Sequence, residues 1–214
     1  IAIRIGRLLY KINQTNMETV LFQLIGVFIF TLTTFFSGKL IRRKPNLAFA
    51  KKPIRLVHFC FWFFLVLPSG MSLIYPGLSN LDTLLSLMSL PERTFLKVSG
   101  TMLVLIGMYY SLASSQLLAK MGSGAMAFKF SKRVVSKGVY NQVRNPMALG
   151  YYLLLLGAGL MVHSTYFFVF NLVIVIPAHI FYIKYFEEFE VALRLGESYT
   201  QYKVKTPFLI PKFF

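Results

Sequence analysis

Three consecutive residues, Arg144, Asn145 and Pro146, stand where a polar stretch punctuated by glycine and proline (134–150) runs into a long apolar one. Proline lacks the backbone N–H that is unsatisfied in a first helical turn anyway, so Pro146 opens a helix and Asn145 caps it. Arg144 lies one residue outside. A fixed cation beside a row of free backbone N–H groups can hold an anionic or polar ligand. The alternative is a plain capped helix with an interfacial arginine. A second concentration of chemistry lies further on. Of only 7 acidic residues, Glu187, Glu188, Glu190 and Glu197 fall within 187–197. A carboxylate there can balance a cationic ligand or orient Arg144. The alternative is solvated charge paired with Lys184 or loop lysines.

The elements that must position these residues are membrane spans. The chain is 56% hydrophobic and only 14% charged, against about a quarter charged in soluble domains, and long apolar runs recur. The fold class is all-α, a polytopic membrane protein with about five transmembrane helices, a C-terminal helical hairpin and a cytoplasmic amphipathic helix plus tail. The spans are expected at about 17–37, 56–75, 96–118, 146–162 and 166–185, with an interfacial segment at 1–16. Pro68, Gly70 and Pro177 are expected to bend their spans. Gly100, Gly107, Ser111 and Ser114 give the third span a small-residue face, and Gly150 and Gly157 give the fourth a matching seam. His163, Ser164 and Thr165 allow only a tight turn, so the fourth and fifth spans form an antiparallel hairpin.

Net charge is +16, from 23 Lys and Arg against 7 Asp and Glu. The cations bracket the apolar runs, in loops at 38–55 and 120–144. Positive-inside topology and anionic lipid headgroups explain them better than nucleic acid does. That bias places the C-terminus in the cytoplasm. After the fifth span, Phe186, Phe189 and Leu193 mark an amphipathic helix ending at Gly196, and an extended stretch over 203–212 follows. Residues 1–120 form the N-terminal spans and 121–214 the cofactor-binding and catalytic region. The first fourteen residues lack a small-residue cleavage site, so no secretory signal is expected there. The single Cys60 gives no metal cluster. His58, His163 and His179 lie on separate segments and read as packing or interfacial residues.

Gly138-x-Tyr140-x-x-x-Arg144-Asn145-Pro146-Met147-x-x-Gly150 resembles the GxYxxxRHPxYxG motif of the integral-membrane methyltransferases, the isoprenylcysteine carboxyl methyltransferases and their phospholipid-methyltransferase-like relatives. Glu187-Glu188, Gly196, Tyr199, Tyr202, Pro207 and Pro211 resemble that family's EExxLxxxFGxxYxxYxxxxPxxxP tail. The resemblance covers about 122–214. It implies S-adenosylmethionine as cofactor, held by the C-terminal half, and an amphiphilic acceptor entering sideways from the bilayer. Arg144, Asn145 and Glu187 would be catalytic. Lys137, Gly138, Val139, Tyr140, Arg144, Pro146, Glu187, Glu188, Tyr199 and Tyr202 would hold the cofactor. Two positions depart from the pattern: Asn145 replaces the usual histidine and Ala148 the tyrosine two residues after the proline. Asparagine does not titrate, so no proton transfer near pH 7 is expected at 145.

Two other readings remain open from sequence. One is an NADPH-dependent sterol-reductase-like membrane enzyme, whose related motif normally continues with an Asn-Tyr and an acid that Met147–Gly150 lacks. The other is a non-catalytic membrane scaffold or transporter.

Overall fold

The computed structural model describes residues 2–74, 77–121 and 132–212, with the backbone alone for 2–16, 78 and 79. Among these every regular element is helical: α1 (Ala2–Arg43), α2 (Leu47–Ser72), α3 (Leu78–Leu84), α4 (Thr94–Lys120), α5 (Val139–Gln142), α6 (Pro146–Met161), α7 (Thr165–Leu195) and α8 (Glu197–Lys205). Four stretches, Met17–Arg43, Leu47–Ser72, Thr94–Lys120 and Thr165–Leu195, are long and apolar enough to cross a bilayer. The 16 residues of α6 span about 24 Å, short of a hydrocarbon core of about 30 Å.

Several boundaries differ from the sequence reading. Residues 2–16 are not a separate element, because their backbone continues straight into α1. The basic stretch 38–55 is helix end, turn and helix start rather than loop. The break lies at 44–46, where Asn46 Oδ1 accepts from Ala48 N–H at 2.8 Å. Most of the second basic loop (122–131) lies outside the described residues. At the prolines the helices widen: a π turn, Phe61–Val66, precedes Pro68, and another, Asn171–Val175, precedes Pro177. A proline ring collides with the carbonyl four residues back, and a wider turn relieves the collision.

The small-residue faces of α4 and α6 meet each other. A Cβ at Gly107 would lie 2.8 Å from Gly150 O, and one at Gly100 2.8 Å from Gly157 O. The other face of α4 (Phe95, Met102, Leu105, Leu112) is exposed, as suits a lipid-facing surface. The hairpin turn is His163 at φ +56 and Ser164, whose Oγ accepts from Phe167 N–H at 3.1 Å. Along its middle α7 packs on α1 and α2, through Phe30, Val57, Phe167, Ile183 and Phe186. Gly38 leaves room for the Tyr185 ring, which a Cβ would meet at 2.5 Å. Arg42 donates to Tyr185 O and stands 4.2 Å from the centre of that ring. The basic ends of α1, α2 and α4 therefore share one end of the bundle with α8 and the C-terminal residues.

At the opposite end, the connection between α2 and α4 contains α3, whose Asp82 is 2% exposed and accepts from Tyr166 N–H at 2.6 Å. A carboxylate at the start of α7 satisfies a first-turn donor and complements the helix dipole. Asp82→Ala leaves that donor buried and unpaired, and is expected to cost about 1–3 kcal/mol, seen as a lower unfolding midpoint in detergent.

Candidate functional site

Gly138 begins the site with φ +57. A side chain there would be strained, and its Cβ would meet Leu117 at 2.9 Å. The turn drives Val139 and Val143 into a small cluster with Tyr110. Tyr140 and Arg144 are thereby turned to the other side, toward α7. The final stretch lies along this segment. Arg144 N–H donates to Pro207 O at 2.8 Å, and Lys212 N–H donates to Gln142 O at 3.0 Å. Asn145 does stand at the cap position just before α6, but its side chain does not cap the helix. Its Nδ2 reaches the Phe208 carbonyl at 3.3 Å instead.

Arg144 ties three elements together. One terminal nitrogen donates to Lys203 O at 2.7 Å and Thr206 O at 2.8 Å, capping the C-terminal carbonyls of α8. The other donates to Glu188 Oε1 at 2.9 Å. The second oxygen of Glu188 accepts from Lys203 Nζ at 2.6 Å. The third guanidinium nitrogen, Nε, is buried and has no partner among the described residues. One helical turn on, Glu190 and Arg194 form a bidentate pair at 2.7 and 3.2 Å. Glu187 has neither hydrogen bond nor ion pair among the described residues, although it borders the same space.

Tyr202 O–H donates to Tyr140 O at 2.6 Å, closing α8 over the site. Burial raises the phenols of Tyr140, Tyr199 and Tyr202 above their ordinary range, with neighbouring charge from Glu187 adding to the shift at Tyr140 and Glu188 adding to it at Tyr199. All three are neutral hydrogen-bond donors at pH 7. The expected extended stretch therefore begins only at Thr206, since Tyr199, Tyr202 and Lys203 to Lys205 belong to α8.

These groups bound one cavity of about 400 Å³ between α2, α6, α7 and α8. Its polar end holds Tyr140, Arg144, Asn145 and the three glutamates, with Tyr199 and Tyr202 above. Pro146 also borders it. Lys137 and Gly138 are exposed on the outer side of the turn, and Val139 is buried behind it, so none of the three borders the cavity. The cavity then continues between α6 and α2 into an apolar half lined by Ile54, Phe61, Trp62, Val66 and Leu154.

Two histidines expected to be dispersed packing residues meet in that apolar half. Tyr152 O–H and His179 Nδ1 are hydrogen-bonded at 2.9 Å; His58 Nδ1–H donates to Ile54 O at 3.0 Å, so His58 Nε2 accepts from Tyr182 O–H at 3.3 Å. Phe61 and Tyr182 stack on His179, with centroids at 4.6 and 5.5 Å. The sequence reading gave no site role to Tyr152, to His179 or to the Glu190–Arg194 pair. The i,i+4 spacing of the pair was visible. Nothing in the sequence joins Tyr152 to His179.

A family model described as phospholipid methyltransferase matches residues 95–196, which takes in α4, the Arg144 segment, the hairpin and all three cavity glutamates. No curated protein and no solved structure matches the chain.

Proposed function

We infer that the chain is a membrane methyltransferase that uses S-adenosylmethionine, a reading supported by the match of residues 95–196 to the phospholipid methyltransferase family, that of the isoprenylcysteine carboxyl methyltransferase-like proteins. The observation that carries the reading is one cavity lined by both Arg144 and Glu187, a glutamate with no ion-pair partner among the described residues. An amino-acid moiety with a cationic and an anionic end matches that lining. Glu187 would hold the cationic end and Arg144 the anionic end. Glu188 keeps the guanidinium in place, and Tyr140, Tyr199 and Tyr202 cover the site with neutral donors.

The cofactor supplies a methyl group on an already activated sulfonium. What the chain must do is hold the reactants in line and exclude water, which is worth several kcal/mol. The cover formed by α8 excludes water from the polar end. The apolar half receives a lipophilic body, and the half-exposed Trp62 marks its bilayer side. The acceptor class is therefore amphiphilic: an isoprenylcysteine-like carboxylate, a lipid amine or a thiol, entering from the membrane. The basic helix ends around the cavity support a cytoplasmic position for this side and for the C-terminal residues.

Calorimetric titration of the purified protein with S-adenosylhomocysteine tests the reading. Micromolar binding is expected, weakened ten- to a hundredfold in Glu187→Gln, because a charge-assisted contact is worth about 1.5–3 kcal/mol. A folded wild-type protein that takes up no adenosyl ligand refutes it.

A further inference from the structure

The apolar half of the cavity holds a further polar point, the hydrogen-bonded pair Tyr152 and His179. Tyr152 is buried, and His179 Nδ1 is its sole hydrogen-bond partner among the described residues. If Nδ1 carried the proton, the Tyr152 hydroxyl hydrogen would have no acceptor. A buried hydroxyl takes the arrangement that satisfies its donor, so Tyr152 donates and the histidine proton sits on Nε2. His58 differs, because both of its nitrogens are used, by Ile54 O and by Tyr182.

His179 Nε2 is absent from the buried unpartnered atoms and bonds to no described residue, so it opens onto the cavity that His179 lines. Stacking between Phe61 and Tyr182 fixes the ring plane and hence the direction of the N–H. The result is a rigid, neutral donor in an apolar, membrane-embedded pocket. A polar group at that depth is costly to keep unless something uses it.

We propose that His179 Nε2–H is the binding point for a hydrogen-bond-accepting oxygen in the headgroup of the methyl acceptor. The ligand class is a lipophilic molecule carrying a carboxylate or carbonyl oxygen. A headgroup that only donates, such as an alkylammonium, meets a donor there and is disfavoured. Tyr152 is a positioning residue that holds the tautomer. The proposal rests on the acceptor occupying the apolar half, as in the function inferred above.

Trp62 is the chain's single tryptophan, borders the same half and stands edge-on to Phe61 at 5.7 Å. Its fluorescence reports occupancy without turnover. In nanodiscs the protein is titrated with decanoate, methyl decanoate and decylammonium, which share one apolar body. Wild type is expected to bind at least one oxygen probe tenfold or more tighter than decylammonium. Preference for both oxygen probes identifies a carbonyl oxygen as sufficient; preference for decanoate alone identifies an anion. His179→Phe keeps the stacked ring and is expected to abolish the preference, while His179→Gln, which restores an N–H donor, is expected to keep it. S-adenosylhomocysteine affinity should change less than twofold in both variants. Equal binding of all three probes by wild type, or the same preference in His179→Phe with adenosyl binding intact, overturns the proposal. Failure of wild type to bind S-adenosylhomocysteine refutes the function inferred above and is read in a separate titration.

Discussion

Arg144→Ala is expected to lower methyl transfer at least a hundredfold while leaving the protein in the membrane. The substitution removes three contacts at once: two carbonyls at the end of α8 and the Glu188 carboxylate. Glu188 keeps only Lys203, whose side chain is 45% exposed. The cover carrying Tyr199 and Tyr202 loses its main tie to the Arg144 segment. Two charge-assisted hydrogen bonds at about 1.5 kcal/mol each already give the hundredfold figure. Arg144→Lys is expected to do little better, because a point charge cannot serve two carbonyls and a carboxylate together. The measurement is incorporation of label from methyl-labelled S-adenosylmethionine into lipid and protein, at matched expression. Normal incorporation in Arg144→Ala would remove this residue from the site.

Gly150→Val is expected to have the largest effect on folding. A Cβ at Gly150 would overlap Ser111 Oγ and lie 2.7 Å from Gly107 O. Gly107 O, and Ser111 N at 2.9 Å, are backbone atoms that cannot rotate away, so α4 and α6 must move apart. Overpacking of this kind costs about 3 kcal/mol, and between membrane helices close packing is itself a main source of association. The loss of monodisperse protein on size exclusion should be severe. Gly70→Ala is the control: nothing lies within 4 Å of its Cβ position, so it should behave as wild type. Equal behaviour of Gly150→Val and Gly70→Ala would mean that the α4–α6 seam does not hold the fold.

How far the sequence was readable depends on the range of the interaction. Apolar runs, small residues at spacings of seven and a proline at a helix start are local, and they located the spans, the seam and the Arg144 segment. The side of a turn on which a residue ends up is not local. Lys137, Gly138 and Val139 are adjacent to Tyr140, yet the positive φ of Gly138 sends them outside the cavity. Asn145 has a capping residue's chemistry and position, but a carbonyl 63 residues later wins its side chain. The continuity of α1 through the expected interfacial segment, and the helical character of the basic stretch 38–55, reflect a tolerance for charge in helix ends that composition does not reveal. Tyr152 and His179 are 27 residues apart on different helices, and only the packing of α6 on α7 makes them one unit.

The π turn Ile183–Glu187 sits between the histidine half of the cavity and the glutamates. Such a turn amounts to a single-residue insertion that the helix absorbs without breaking. Everything after it is advanced by one step, about 100° of rotation about the axis. Glu188 and Glu190 thus face the cavity on a different phase from the residues that precede the turn. The two halves of the binding space are geared to each other by one extra residue, and a homologous chain lacking it would present another set of side chains to the same opening.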